Sequence, residues 1–322
     1  MDILVYGAGV IGCELAHMLC RGGGRVTLLA RGSWRDTISR DGLVIRHYAQ
    51  LRTTVDRPAL VDRLEAEQVY DLVFVVMQAG QLPAVLPEVA ANRSRFVVLV
   101  GNNPAVEQSL RLASEGSPVE KEIAFGFQAT GGRREDGRVV SIHAGVGMTV
   151  GGPDGPLSEE FRRRLLQAFS GTGCRLAWED RMDAWLKCHL ALILPVCYVC
   201  YAVGGRLPEA FPAQRRAILD AALEGCVMLR SLGVPIRTQD SEDYYRPGPK
   251  RRCMAAMLYL MAKTPLGRLA ASDHAMRAVE ELRALDAAFE DLRRRAGTPM
   301  PVWDALRAGM PDWDTLSRAA AP

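Results

Sequence analysis

Two groups of residues in this 322-residue chain have the types and spacing to do chemistry. The first is Gly7-Ala8-Gly9-Val10-Ile11-Gly12, which follows directly on the apolar run Ile3-Leu4-Val5-Tyr6. A strand entering G-x-G-x-x-G, with a helical pattern from Val10 to about Arg21 behind it, is the context in which such a turn cradles a dinucleotide. In that context Gly7 makes the tight turn, Gly9 lets backbone approach a pyrophosphate, and Gly12 permits close contact of helix and strand. The phosphates then rest on the positive end of the helix, at Val10 and Ile11. The second group surrounds Lys187, in Trp185-Leu186-Lys187-Cys188-His189-Leu190, at the head of the most apolar helical segment. Only Lys121, Lys187, Lys250 and Lys263 are lysines, and arginine supplies the rest of the positive charge. An arginine there would stay charged, whereas a desolvated lysine can shift its pKa and give a proton to a carbonyl oxygen that is receiving hydride. The same residue also reads as a lysine snorkelling from a helix end.

The elements that must position these groups follow from the patterning. Gly22-Gly23-Gly24 ends the first helix, and Arg25-Val26-Thr27-Leu28-Leu29 reads as a second strand, completing a βαβ unit. An NAD site usually sets Asp or Glu at the end of that strand to hold the ribose hydroxyls. Here the chain continues Ala30-Arg31-Gly32-Ser33, which offers Arg31 and Ser33 to a 2′-phosphate and favours NADPH; the plainer reading is a solvated loop arginine. Apolar strands at 71–76 and 96–100 end in Met77-Gln78-Ala79-Gly80-Gln81 and Gly101-Asn102-Asn103. Strand carboxyl ends form the ligand crevice of an open parallel sheet, so Gln78, Gln81, Asn102 and Asn103 are placed to line it, unless they are simple turn residues. Three short antiparallel strands are expected at 124–127, 139–142 and 148–150, then a helix capped by Ser158 and a last strand at 175–178. Everything beyond Asp180 has helical periodicity. The expected architecture is α/β, an N-terminal Rossmann-type doubly wound sheet over 1–179 followed by an all-α C-terminal domain over 180–322 that holds the substrate. Between its helices, Gln239 to Arg252 reads as a mobile loop over the site or as a surface linker.

An N-terminal G-A-G-x-I-G, an arginine after the second strand, an asparagine pair after a later strand and W-x-K opening a helical domain together resemble the ketopantoate reductase family, over nearly the whole chain. That resemblance implies NADPH-dependent reduction of a 2-keto acid, with Gly7, Gly9, Gly12, Arg31, Gln81 and Asn102 on the cofactor and Lys187 as general acid. Gln78 stands where the family has a lysine near the adenine. The family's asparagines four and eight residues after the lysine are here Ala191 and Pro195. Counting back from Gly297-Thr298-Pro299-Met300-Pro301, the family's late glutamate falls near Glu281, with Ser272 and His274 one to two turns earlier as substrate contacts. Glu281 could tune Lys187, or be a solvated acid. The loss of both asparagines predicts a bulkier or less polar acid than ketopantoate.

Composition narrows the alternatives. With 48% hydrophobic and 24% charged residues the chain is ordinary globular protein, and a net charge of +3 with scattered arginines gives no footprint for nucleic acid. Eight dispersed cysteines and a strand starting at Ile3 fit a reducing cytoplasm rather than a disulfide framework. Cys197 and Cys200 form a lone C-x-x-C in an apolar helix and read as core filling, so no metal is expected. The longest apolar run, Leu190 to Val203, is interrupted by Pro195 and is shorter than a membrane span requires. A homodimer through the apolar helices is implied by the resemblance, although an internal core needs the same faces. Two rival functions remain: an imine-reducing, opine-type dehydrogenase, and a non-catalytic NADP-sensing module.

Overall fold

The computed structural model describes residues 1–237, 241–264 and 272–320, except for the side chains of 143–146, 241, 273, 274 and 320. The chain divides into two compact units, Met1–Met182 and Asp183–Pro322.

The first unit is built on β1 (Asp2–Tyr6), α1 (Val10–Arg21), β2 (Arg25–Leu29), α2 (Gly32–Asp41), β3 (Leu43–His47), β4 (Arg52–Asp56), β5 (Ala59–Val61), β6 (Leu72–Val76), α3 (Leu82–Ala91), β7 (Phe96–Val100), α4 (Val106–Ser114), β8 (Glu122–Glu135), β9 (Arg138–Gly151), α5 (Glu159–Phe169) and β10 (Arg175–Trp178). Its sheet runs β4-β3-β9-β8-β7-β6-β1-β2-β5, with β10 added on β9. From β5 to β8 every neighbouring pair is parallel. β2 lies on one side of β1 and β6 on the other, so the strand order reverses at β1, directly under the glycine turn. Every residue of β6 and β7 is buried. Continuous Val, Leu and Phe runs are what parallel strands covered on both faces require.

Two features depart from the sequence expectation. The three short antiparallel strands are two strands of 14 residues each, β8 and β9, paired antiparallel with an irregularity between Gln128 and Thr130. β9 then pairs parallel with β3 through Val139–Ser141 and with β10 through Gly147–Val150. The second is the β3–β4 hairpin, which docks against α1 through buried polar groups: His17 Nδ1 lies 2.5 Å from Asp56 Oδ2 and His47 Nδ1 3.7 Å from Glu14 Oε1, while Ser141 Oγ of the neighbouring β9 donates to Glu14 Oε2 at 2.7 Å. The His17 and His47 rings are 4.8 Å apart, and burial holds the His47 pKa below its ordinary value. Each of these groups has a partner, as burial of polar atoms demands.

The second unit is helical: α6 (Met182–Ala202), α7 (Pro212–Ser231), α8 (Ser241–Tyr245), α9 (Pro249–Lys263), α10 (Asp273–Arg277), α11 (Val279–Ala296), α12 (Pro301–Ala308) and α13 (Trp313–Ala320). α6 is 21 residues, longer than its apolar run, and reaches the length and hydropathy of a membrane span. However, 72% of its most apolar window is buried within the fold, which accounts for its composition as a core helix. Asp286, almost fully buried, accepts from Tyr198 Oη at 2.5 Å and from Trp313 Nε1 and Arg307 Nη2 at 2.9 Å each, tying the last two helices to α6 and α11. The stretch read as a loop from Gln239 to Arg252 is largely helical from Ser241 onward, because Pro249 opens α9 at a position where a missing N–H costs nothing. Gln239 and Asp240 lie outside the described residues.

Candidate functional site

The glycine turn has the shape its sequence implied. Gly7 has φ 117°, and a Cβ there would collide with the Val76 carbonyl oxygen. A Cβ on Gly12 would run into the Gly7 carbonyl oxygen, so α1 can lie this close to β1 only with glycine at 12. Gly9 is the opposite case: exposed, with nothing within 4 Å of where a Cβ would stand. α1 has no side-chain cap and no acid in its first turn. Its N-terminal N–H groups, at Val10 and Ile11, are thus left for an anion approaching over Gly9. A dinucleotide diphosphate fits this cradle.

Arg31 is the residue immediately before α2, two positions beyond the end of β2. Its Nε donates to the Asp62 carbonyl at 3.0 Å and its Nη2 to Tyr6 Oη at 2.9 Å, with Glu88 Oε2 3.6 Å away. Glu88 is itself fixed, accepting from Tyr6 Oη at 2.6 Å and from Leu64 N at 2.7 Å. Burial, with Glu88 alongside, pushes the Tyr6 hydroxyl pKa up to about 12, so the phenol stays protonated and keeps donating. The arginine is held in place while its side chain stays 56% exposed, leaving donors free at the end of β2.

At the carboxyl ends of β6 and β7 the polar residues divide. Gln78 and Gln81 are exposed around the single turn Ala79–Gln81, closed by Gln81 N donating to Gln78 O at 2.9 Å. Asn102 is buried, following Gly101, whose N–H donates to Gly126 O at 2.9 Å. Asn103 serves the fold: its Nδ2 donates to Ser109 Oγ at 2.9 Å and its Oδ1 accepts from Ala105 N at 3.0 Å, which shapes the entry to α4. An Asn just before a helix is the signal that could have separated this role from a substrate contact.

Residues the sequence did not single out also surround the turn. Trp34 Nε1 donates to the Ala8 carbonyl at 2.9 Å, and the Arg134 guanidinium lies 5.3 Å from the Trp34 ring centroid. Tyr6 and Glu88 are two more. No local pattern points to Arg134, because only the pairing of β8 with β9 brings it to α2.

In the helical unit, Lys187 Nζ donates to Asp183 Oδ2 at 2.5 Å, one turn earlier on α6. The lysine side chain is 18% exposed, and the ring of His189 stacks on Trp185 beside it. Ala191 is fully buried against α7, where a Cβ on Gly225 would lie 2.8 Å from the Ala191 Cβ. That packing leaves no room for an asparagine side chain at 191. Pro195 has no N–H, which removes the intrahelical donor for the Ala191 carbonyl. Glu281 is buried on the first turn of α11. Burial, with Cys200 and Glu281 nearby, pushes the Cys197 thiol up, in keeping with core cysteines; Tyr201 is raised by burial and the same neighbours. Ser272 is buried, and its Oγ has no hydrogen-bond partner among the described residues. The side chain of His274 lies outside the described residues.

Comparison with known proteins agrees with this architecture. Residues 3–155 match the family model described as ketopantoate reductase PanE/ApbA. Among solved structures, the chain is similar to 2-dehydropantoate 2-reductase from Methylococcus capsulatus, at 19% identity over 100% of this chain and 98% of that one, TM-score 0.72. It is similar to a PanE/ApbA family ketopantoate reductase from Ralstonia eutropha JMP134, at 19% identity over 99% of each chain, TM-score 0.72. It also resembles D-mandelate dehydrogenase, in a ternary structure with NADH and anilino(oxo)acetate, at 14% identity over 99% of each chain, TM-score 0.73. No curated protein matches the sequence. At these identities the likeness to solved structures establishes the fold: an N-terminal Rossmann domain followed by a helical domain. Residues 3–155 of this chain carry the match to the ketopantoate reductase PanE/ApbA family.

Proposed function

We propose that the protein is an NADPH-dependent reductase of a 2-keto acid or a related carbonyl compound, with Lys187 as the general acid. The observation that carries the reading is the end of β2, where an anchored, half-exposed Arg31 stands in place of a ribose-binding acid, beside a glycine turn open at Gly9. NADPH, when bound, supplies the hydride for the carbonyl carbon. The protein does the rest. Backbone N–H groups at Val10 and Ile11 hold the diphosphate, Arg31 and Ser33 hold the 2′-phosphate, and Gln78, Gln81 and Asn102 line the crevice. Asp183 occupies one of the three Lys187 N–H donors and fixes the direction of the ammonium group. The remaining donors polarise the carbonyl oxygen and pass it a proton as it becomes an alkoxide. Ser272, His274 and Glu281 orient the substrate. Ala191 and Pro195, in place of two amide side chains, support a substrate with a bulkier, less polar group beside the keto acid. The dispersed thiols, all eight of them free, support a reducing cytoplasm as the setting.

The test is NADPH oxidation with a panel of branched and aromatic 2-keto acids, with and without an amine. Turnover with a keto acid alone is expected. Turnover only when amine is present would transfer the assignment to imine reduction, and tight binding without any turnover would favour a sensor. For the cofactor, wild type should bind NADPH well ahead of NADH. Arg31→Ala should lose about ten- to a hundredfold in NADPH affinity, the worth of one charge-assisted contact, with little change for NADH. Fluorescence titration of both cofactors measures this, and equal wild-type affinities would remove the Arg31 argument.

A further inference from the structure

Arg134 plays no part in the mechanism above, yet it is tied to the glycine turn. The tip of the β8–β9 hairpin packs on α2, where a Cβ on Gly137 would stand 3.5 Å from Thr37 Cγ2. From that hairpin Arg134 reaches over Trp34, its guanidinium carbon 5.3 Å from the ring centroid. Trp34 donates in turn to the carbonyl of Ala8, the residue between Gly7 and Gly9, at 2.9 Å. A continuous path, Ala8 to Trp34 to Arg134, therefore fixes an arginine beside the dinucleotide cradle. The charge of Arg134 is felt at the first turn of α1. Burial pushes the Cys13 thiol up to about 12, and the Trp34 and Arg134 side chains oppose that rise.

The neighbouring arginines are engaged. Arg133 pairs with Glu135 at 2.6 Å, Arg138 lies 3.8 Å from the same carboxylate, and Arg31 shares its charge with Glu88 at 3.6 Å. Arg134 is exposed, and its recorded partner among the described residues is the Trp34 ring rather than a carboxylate. An arginine lying on an indole is stiffened, while its N–H donors remain available around the edge of the guanidinium plane. α2 also begins beside this group, at Gly32, and its N-terminus has no side-chain cap.

We propose that Arg134, held on Trp34, is a second cation for the 2′-phosphate of NADPH, so that Arg31 and Arg134 together decide the cofactor preference. This rests on the NADPH reading above. Arg31 alone meets the phosphate with a charge already partly balanced by Glu88. Arg134 brings one from a different part of the chain, with no carboxylate paired to it among the described residues.

The experiment is titration of wild type, Arg134→Ala, Arg134→Lys and Trp34→Phe with NADPH, NADH, 2′,5′-ADP and 5′-AMP, by calorimetry and by tryptophan fluorescence. Arg134→Ala should weaken NADPH and 2′,5′-ADP about tenfold and leave NADH and 5′-AMP unchanged. Arg134→Lys should fall between, since it keeps charge but loses the planar fork. Trp34→Phe keeps a ring under the guanidinium but loses the bond to Ala8, and should lower the affinity for the 2′-phosphorylated ligands by less than Arg134→Ala does. Thermal melts check that each variant is folded. A wild type that prefers NADPH, with Arg134→Ala unchanged, overturns this inference and leaves the NADPH reading intact. Equal losses for NADPH and NADH overturn it too, because the contact would then be to the shared diphosphate. A wild type without any preference overturns both.

Discussion

Lys187→Ala should lower kcat on the best 2-keto acid by about a hundred- to ten-thousandfold, the usual contribution of a positioned general acid, while the affinity for NADPH stays within about twofold of wild type. The reason is a separation of tasks. The groups proposed to bind the nucleotide belong to the first unit, and Lys187 lies on α6, in the second, bonded to Asp183. In the proposed reaction, removing the ammonium leaves the carbonyl oxygen without a proton as hydride arrives, and a water molecule is a poorly placed replacement. Lys187→Arg makes the argument sharper. Guanidinium retains the charge and can pair with Asp183, but it does not give up a proton in this pH range, so this variant should be nearly as slow as the alanine. Single-turnover measurement of NADPH oxidation, with the dissociation constant titrated separately, makes the comparison. Activity within tenfold of wild type in Lys187→Ala would remove the lysine from the reaction.

Gly12→Ala is expected to weaken cofactor binding severely, through the backbone of the first unit. The new methyl group has to enter the space of the Gly7 carbonyl oxygen, which is backbone and has no rotamer to change. Overpacking of this kind costs about 1–3 kcal/mol of stability. The larger effect is on the cradle, because relief of the collision moves α1 away from β1 and takes the N–H groups of Val10 and Ile11 with it. Loss of two charge-assisted backbone bonds corresponds to a drop on the order of a hundred- to ten-thousandfold in NADPH affinity. Calorimetric titration, with circular dichroism to verify that the sheet persists, gives the result. An alanine variant that is folded and binds NADPH as tightly as wild type would show that this turn does not hold the phosphates.

The elements legible in the sequence were those with a continuous apolar pattern or a clear start signal, such as Ser158 ahead of α5. β1, β2, β6 and β7 are short runs of Ile, Leu, Val and Phe, and α1 follows its glycine turn at once, so local composition was sufficient. β4 and β5 escaped because they are partly exposed, and Arg52-Thr53-Thr54-Val55-Asp56 has no apolar face to announce it. α2, Gly32–Asp41, buries only Ile38 and is polar elsewhere. At the glycine turn, the backbone geometry could be read because Gly7 and Gly12 each have a local steric reason for their residue type. Asn103 could not, since its amide works for α4 through Ser109. The Ala8, Trp34 and Arg134 set is made by strand pairing across a hundred residues of chain, and the departure at 191 acquires a physical reason only with Gly225 in view.

The double pairing of β9 has a consequence in time rather than in space. On the edge away from β8, the half of β9 from Val139 to Ser141 is covered by β3, whereas Gly147–Val150 waits for β10 at 175–178. The family match ends at 155, before that last strand. On a ribosome adding about 5–20 residues per second, the gap between Gly151 and Arg175 lasts roughly one to five seconds. For that interval the half-strand presents unpaired N–H and C=O groups, the kind of edge that recruits other chains. The first unit is therefore a late-closing unit of synthesis, sealed only as α6, the helix that bears Lys187, begins to emerge.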